Sequence, residues 1–310
     1  MKQRFRFRTI VAGALVGLFL LSTLPLPASA WSNGSPSTST SSPKYSTHDW
    51  IAQHALDWLP DTEKGFITSN LNTYLYGTEL PDFQDAVGGD GIGDTYNHHV
   101  YYRSDGSLQD DAGAARAQDL FNAALNDMRH GDYASASKWA GAMAHYIGDL
   151  AAFGHLMGAS TDWGTETHHS DYEDYMRDQT AGYSTSWDTS LIYDGTLANI
   201  SARDAALEVA YDTTFDESGQ GRTAAWMDQH YGWGDSDFRM RVGQSLSISV
   251  NAIADALHTL WVEAGKSTKG GGTQPFIDPM NLLSATIVVV TILVLIISSK
   301  VGKSKKRRHR

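Results

Sequence analysis

The sequence predicts an all-α protein with one multi-helix domain and one C-terminal transmembrane helix, and three observations support this. Long segments place apolar residues at helical spacing, as in 49–59, where Ile51, Ala55 and Trp58 share one face. Alternation of apolar and polar residues, the pattern of half-buried strands, is scarce. Residues 282–299 form an uncharged run of 18 residues, and a helix that spans a bilayer needs roughly 17–25.

The candidate helices follow one another through the middle of the chain. The first, 49–59, ends before a proline, and the second, 111–129, is rich in Ala and Leu and stops before a glycine. A loop rich in Gly and Asp, 82–95, separates these two and is too polar for a core. The other long candidates are 133–152, 166–179, 202–211 and 238–264. One helical domain over 48–265 is the economical prediction.

The amino-terminal end carries a targeting signal. Residues 1–30 combine a basic leader, an apolar run and the small-residue site Ala28-Ser29-Ala30, a pattern that predicts a secretory signal peptide. Cleavage there would make Trp31 the new amino terminus. The segment that follows, 31–47, is dominated by Ser, Thr, Gly and Pro, a composition that buries little apolar surface.

The carboxyl-terminal end predicts a membrane anchor. A flexible linker, 266–281, leads to the predicted span, and the basic tail 300–310 is expected to stay in the cytoplasm. Together with the signal peptide, this predicts a single-pass protein of the cell membrane whose helical domain is extracellular.

The charge of the chain is unevenly distributed. Of the 24 Lys and Arg, 4 lie in residues 1–30 and 7 in residues 300–310, whereas all 35 Asp and Glu lie between, so the body has a formal charge of −22. Nucleic acid is an unlikely partner for such a body, because binding to it depends on neutralising phosphates.

The chain contains no Cys, which excludes disulfides, thiolate zinc sites, iron–sulfur clusters and a cysteine nucleophile. Any metal must be held by His, Asp, Glu or backbone groups.

Histidines and carboxylates cluster in an ordered way in the middle of the chain. His145, Asp149 and His155 form the pattern H-x3-D-x5-H. The four-residue spacing puts His145 and Asp149 on one helix face, where both can bind one metal ion, whereas His155 would point to a neighbouring ion. His169 and Glu173 repeat the four-residue spacing on another candidate helix. Zinc is the favoured metal, because imidazole and carboxylate suit it and no redox ligand set is visible.

This ordered set resembles the bacterial zinc-dependent phospholipase C family, which includes the catalytic domains of clostridial alpha-toxins; single-strand-specific zinc nucleases are more distant relatives. The family pattern is also matched by Trp31 at the new amino terminus, by His48 in His48-Asp49-Trp50, and by Asp82 after a Tyr-Gly turn. It further contains a His ahead of an aromatic pair. Here this is His98 or His99, and we choose His99 because of the aromatic residues that follow it.

The resemblance implies an all-α domain around a trinuclear zinc site and a phosphoester hydrolase activity. One zinc would be held by the α-amino group and carbonyl of Trp31, by His48 and by Asp149. A second would be held by His99, His145 and the other oxygen of Asp149, with Asp82 nearby. A third would be held by His155, His169 and Glu173. Two ions bridged by a carboxylate activate a water, and Asp82 is the candidate to orient or deprotonate it.

Two substrate classes compete. The gap of 14 residues between His155 and His169 and the last ligand, Glu173, match the phospholipases more closely than the nucleases. A membrane anchor also keeps the enzyme at a high local concentration of lipid. Phospholipase C-type cleavage of a phospholipid head group is therefore the main prediction. A single-strand nuclease or other phosphoesterase is the alternative, and a non-catalytic zinc-binding ectodomain is the second alternative.

Overall fold

Helices account for most of the computed structural model, which describes residues 37, 39–83, 92–94, 96–217 and 223–266. The α-helices are α1 (Thr47–Ala55), α2 (Asp61–Thr68), α3 (Leu71–Glu79), α4 (Ala112–Arg129), α5 (Tyr133–Asp149), α6 (His169–Gln179), α7 (Ala202–Phe215), α8 (Ala224–Gln229) and α9 (Ser236–Lys266). Short 3₁₀ turns cover Leu56–Trp58, Leu80–Asp82, Phe153–His155 and Ser186–Ser190. One small hairpin pairs β1 (Tyr101–Tyr102) with β2 (Leu108–Asp110) in antiparallel orientation. The prediction of a mainly helical domain is confirmed for these residues.

The predicted helices are present, but several of their ends differ. The first begins at Thr47 and gives way to a 3₁₀ turn after Ala55. The candidate 133–152 ends at Asp149, and the candidate 166–179 begins only at His169. Helices α2, α3 and α8 and the hairpin are not predicted, because segments of two to nine residues show too little periodicity.

Helix α5 lies at the centre of the domain. Every residue from Ala140 to Asp149 is buried, and α1, α3 and α4 all pack against this helix. Its sequence allows this because Ala and Gly dominate the segment and let neighbouring backbones approach closely. Asp132 caps the start of α5 by accepting a hydrogen bond from the backbone N–H of Ser135 at 3.1 Å.

Helices α3 and α5 meet at a pair of glycines. A Cβ atom at Gly141 would overlap the carbonyl oxygen of Tyr74, and a Cβ atom at Gly77 would overlap the carbonyl oxygen of Lys138. The close crossing fixes the end of α3 relative to α5. This matters for function because the end of α3 leads directly into Asp82.

The long helix α9 closes the domain with one apolar face. Its fully buried large apolar side chains are Phe238, Val242, Leu246, Val250, Ile253 and Leu260, with Leu257 almost as deeply buried. Their spacing of three or four residues is that of an amphipathic helix packed on a core.

Several sequence predictions concern parts of the chain outside the described residues. These are the signal peptide 1–30, Trp31, the span 282–299, the tail 300–310 and most of the polar loop 82–95. The chain divides into one compact unit, Met1–Lys266, and a second, Ser267–Arg310; the second lies wholly outside the described residues. Within the described ranges, no helix is both long enough and apolar enough to cross a membrane.

The glycine crossing predicts a specific pattern of stability. Replacing Gly141 by Ala should lower the free energy of unfolding by about 1–3 kcal/mol, because the added methyl group overpacks the contact with α3. Gly65 in α2 is a matched control, since a Cβ there meets nothing within 4 Å. Gly65→Ala should be stabilising by about 0.5–1 kcal/mol. Urea unfolding of the two variants gives the comparison, and equal effects of both substitutions would contradict the close crossing.

Candidate metal centre

Eight side chains from six segments converge at the carboxyl-terminal end of α5. They are His48 from α1, Asp82 from the turn after α3, His98 from the segment before β1, His145 and Asp149 from α5, His155 from the turn after α5, and His169 and Glu173 from α6. Their potential ligand atoms form three groups: His48 with Asp82 and His145; His98 with His145 and Asp149; and His155 with His169 and Glu173.

Asp149 connects these groups. Its side chain is fully buried, with Oδ1 at 2.9 Å from His48 Nε2 and at 3.9 Å from His155 Nε2. Its other oxygen, Oδ2, lies 2.8 Å from His98 Nδ1 and 3.2 Å from His145 Nε2. Each oxygen of this carboxylate therefore faces different histidines, which is the arrangement required of a carboxylate shared by two metal ions.

Two of these histidines are oriented by backbone carbonyl groups. The carbonyl oxygen of Thr78 accepts a hydrogen bond from Nδ1 of His145 at 2.7 Å, and that of Asp94 accepts one from Nε2 of His98. Each bond places a proton on the ring nitrogen that faces away from Asp149. The opposite nitrogen faces Asp149 and can bind a metal once any proton on it is displaced, as is usual for metal-bound histidines.

The third group lies against α6. His169 Nε2 is 2.7 Å from Glu173 Oε1, and His155 Nε2 is 3.2 Å from the same oxygen. Glu166 lies on the far side of the His169 ring, with Oε1 at 3.6 Å from Nδ1. A Cβ atom at Gly154 would lie 2.5 Å from two ring atoms of His169. The turn after α5 therefore needs glycine at this position, because a larger residue would prevent His169 from reaching the cluster.

Asp82 completes the centre from the end of α3. Its Oδ1 lies 3.5 Å from His145 Nε2, while Oδ2 is buried and has no hydrogen-bond partner within the part of the chain that the structure describes. Burial raises the pKa of Asp82 to about 7, although the neighbouring histidines oppose this.

Burial and neighbouring charges shift the pKa values of other groups in the centre, in opposite directions for different histidines. Burial and the neighbouring His145 lower the pKa of His48 to about 4, so this ring is neutral at pH 7. Burial also disfavours the charged forms of His98 and His169, but the carboxylates outweigh it. The pKa of His98 is raised to about 9, chiefly by Asp149, and that of His169 to about 10, chiefly by Glu173. Burial opposes the ionisation of Asp149, yet the surrounding histidines hold its pKa well below the usual value.

The donor set fits zinc. Among the described residues, every ion-pair partner of Asp82, Asp149 and Glu173 is a histidine, and none is Lys or Arg. Buried carboxylates are costly unless positive charge compensates them. His48 Nδ1 and Asp82 Oδ2 are both buried, and no described residue forms a hydrogen bond with either atom. Imidazole and carboxylate groups gathered in this way match the ligand preferences of zinc.

The structure brings together seven of the nine metal-site residues predicted from the sequence. His98 rather than His99 reaches Asp149. His99 instead lies 3.3 Å from Asp110 and stacks on Tyr101 at 4.3 Å between ring centroids. The structure places His98 rather than His99 beside Asp149 because successive residues of an extended segment face opposite sides, and the aromatic residues that follow do not tell which side is which. Trp31 lies outside the described residues.

Other residues that shape the centre escape sequence reasoning. The carbonyl groups of Thr78 and Asp94 act through their backbone, which leaves no residue-type signal. Glu166, by contrast, precedes His169 by three residues in a segment predicted to be helical, and this spacing is a usable signal for a contact between the two side chains.

A small cleft of about 130 Å³ opens beside the centre. His98, His155 and His169 form part of its wall, and His99 and Tyr101 form another part. Its remaining lining residues are Tyr96, Gly154, Met157, Gly158 and Glu166. A ligand in this cleft would touch residues of two of the three groups at once.

Comparison of the sequence with protein-family models finds a matching family. The model of the family described as zinc dependent phospholipase C matches residues 47–220, which is more than half of the chain and includes all eight residues of the centre. No match is found among curated protein sequences.

Two solved structures are similar to this chain. They are alpha-toxin from Clostridium absonum, with 16% sequence identity, and alpha-toxin from an avian strain of Clostridium perfringens, with 14%; both have a TM-score of 0.49. Each alignment covers 74% of this chain and 66% of the toxin, so the chain spans about two thirds of the toxins' length.

The geometry predicts different consequences for the two adjacent histidines. His98→Ala should lower the number of zinc ions bound per chain, because it removes a ring that contacts Asp149. His99→Ala should leave that number unchanged, since this ring faces Asp110 instead. Elemental analysis of the purified variants, each dialysed against the same free zinc concentration, measures this. Loss of zinc from the His99 variant alone would show that His99 is the ligand after all.

Zinc binding should also release protons. At pH 7 the raised pKa values of His98 and His169 keep both rings protonated in the metal-free protein, and a metal must displace those protons. We therefore expect the apparent zinc affinity to increase as the pH rises from 6 towards 9. Calorimetric titration with zinc in two buffers of different ionisation enthalpy counts the protons. Binding without proton release at pH 7 would show that these rings are not ligands.

Proposed function

Because the chain belongs to the zinc-dependent phospholipase C family, we propose that it is a zinc-dependent phosphodiester hydrolase that cleaves a phospholipid between its glycerol and its phosphorylated head group. The observation that carries this proposal is the joint burial of three carboxylates with five histidines at the end of α5. We further propose three zinc ions, one for each group of ligand atoms, with the Trp31 amine as an additional ligand.

The bound zinc and Asp82 would have different roles in the reaction. Zinc held there would supply the Lewis acid that polarises a phosphoryl oxygen and lowers the pKa of a water. Asp82 would accept a proton at Oδ2 from the attacking water, since no described residue is hydrogen-bonded to this oxygen and the Asp82 pKa of about 7 suits proton transfer near neutrality. Contact with His145 at 3.5 Å holds the other oxygen of Asp82 in place.

The cleft supports a phosphoryl substrate of limited size. A volume of about 130 Å³ is below the roughly 300–1,000 Å³ of pockets that enclose a whole drug-sized ligand. A phosphate with part of a head group would fit there, while acyl chains would stay outside. During cleavage the bond from phosphorus to the glycerol oxygen breaks as the bond to the water oxygen forms, and the diacylglycerol leaves with a proton from solvent.

We propose that the enzyme acts at a membrane surface. The sequence supports secretion through residues 1–30 and anchoring through residues 282–299, so that the catalytic domain would be extracellular and the basic tail cytoplasmic. Among the substrates of this reaction class, the acidic body of the protein favours a lipid over a polynucleotide.

A paired assay tests the proposed activity. The full chain, with zinc, should release phosphorylated head group from phosphatidylcholine vesicles and should leave single-stranded DNA intact, and a chelator should abolish the release. Asp82→Asn should lower kcat by roughly 10²–10⁴-fold, the usual contribution of a general base. Asp61→Asn is the control, because this side chain is 96% exposed on α2.

The other outcomes separate the alternatives. Cleavage of DNA without cleavage of lipid would identify a zinc nuclease. Bound zinc without hydrolysis of either substrate would indicate a non-catalytic zinc-binding ectodomain.

A further inference from the structure

The segment before α1 is attached to α3 by hydrogen bonds to one buried carboxylate and by one from Asn72 to the carbonyl oxygen of Ser41 at 2.9 Å. Glu79, the last residue of α3, is fully buried. Its Oε2 accepts a hydrogen bond from the backbone N–H of Ser37 at 2.8 Å, and its Oε1 accepts from the Ser37 hydroxyl at 2.5 Å and from the backbone N–H of Lys44 at 2.8 Å. Three donors from two residues of a Ser-rich segment therefore converge on one side chain.

This attachment supplies every hydrogen-bond donor that the described residues offer to the Glu79 carboxylate. In the described ranges, all hydrogen bonds to the Glu79 carboxylate come from Ser37 and Lys44. The neighbouring buried carboxylate, Asp49, is bound separately by Ser46 and Thr78. If the segment left, Glu79 would be a buried acceptor without partners, which is strongly unfavourable. Docking of the segment therefore offsets part of the free-energy cost of burying the Glu79 carboxylate.

Glu79 is also next to groups that shape the metal centre. The preceding residue, Thr78, orients His145 through its carbonyl oxygen, and Asp82 follows Glu79 by three residues, about one helical turn. Displacement of Glu79 would move both. Ser37 is six positions after Trp31, and six extended residues span about 20 Å, so an anchor at Glu79 limits how far the new amino terminus can move away.

We propose that Glu79 is a positioning residue that anchors the segment 37–44 beside the end of α3 and thereby couples docking of this segment to metal binding. The inference rests on the proposed function only in requiring that the centre binds zinc; it does not require any particular substrate. It explains how a long Ser-rich segment is compatible with an amino-terminal metal ligand, since the anchor fixes the segment at a point close to the centre.

Trypsin provides a direct readout, because Lys44 lies within the anchored segment and its own N–H is bound to Glu79. We would measure the rate of cleavage after Lys44 in the zinc-loaded full chain by mass spectrometry. Cleavage after Lys138, inside the central helix α5, reports global unfolding in the same sample. Glu79→Gln should speed cleavage after Lys44 by roughly tenfold or more. Both oxygens of the carboxylate accept hydrogen bonds, whereas the Gln amide has one oxygen, so at least one donor of the segment loses its acceptor. Cleavage after Lys138 should not change.

Two further variants keep the experiment decisive. Ser37→Ala removes the hydroxyl that donates to Glu79 and accepts from the backbone N–H of Lys44. It leaves the helices intact, so it should speed cleavage after Lys44 several-fold even if Glu79→Gln fails to fold. Asp61→Asn removes an exposed carboxylate and should match the unmodified chain. Unchanged cleavage after Lys44 in both the Glu79 and the Ser37 variants would overturn the anchor.

Coupling is tested by varying zinc. Coupling between two sites is reciprocal, so removal of zinc should speed cleavage after Lys44 in the unmodified chain, and Glu79→Gln should weaken zinc binding in a calorimetric titration. Cleavage that is independent of zinc would overturn the coupling. Neither readout depends on hydrolysis of a phospholipid by this protein. Zinc-dependent protection at Lys44 in a chain that cleaves no lipid would therefore support this role of Glu79 while refuting the phospholipase proposal.

Discussion

The buried carboxylate of Asp149 is the constraint on which the rest of the structure depends. A fully buried charge is tolerated only where opposite charge and hydrogen bonds compensate it. In this chain the compensation comes from four imidazole rings, which approach the two carboxylate oxygens from different sides. Each of the four rings comes from a different segment of the chain. Only His145 shares its helix, α5, with Asp149, and it lies one helical turn before that residue. The positions of α1, the turn after α5 and the segment before β1 are therefore tied to one side chain.

The helical packing serves this constraint. Small residues along α5 let α3 approach so closely that Gly77 and Gly141 meet without side chains between them. That approach brings the carbonyl oxygen of Thr78 onto His145 and places Asp82 at the edge of the centre. At the other side, Gly154 leaves room for His169, so that α6 can present its histidine and Glu173 together. The fold thus supplies both the ligands and the groups that orient them.

Much of this is predictable from the sequence, for a physical reason. Ligands on helices repeat at four residues, so the pairs His145 with Asp149 and His169 with Glu173 are recognisable from their spacing alone. The segment before β1 has no such period, and the choice between His98 and His99 depends on which side of an extended segment faces α5. The short helices α2, α3 and α8 escape prediction because six to nine residues show too little periodicity. The anchor at Glu79 depends on backbone N–H groups of a Ser-rich segment, and these leave no trace in residue type.

Zinc-edge anomalous diffraction from crystals of the full chain grown with zinc tests the central role of Asp149 most directly. A carboxylate shared between ions predicts at least two anomalous peaks, each about 2.0–2.2 Å from a different oxygen of Asp149, and a separate peak bound by His155, His169 and Glu173. A single peak at Asp149, or peaks that this carboxylate does not touch, would contradict a shared ligand and with it the assignment of the centre.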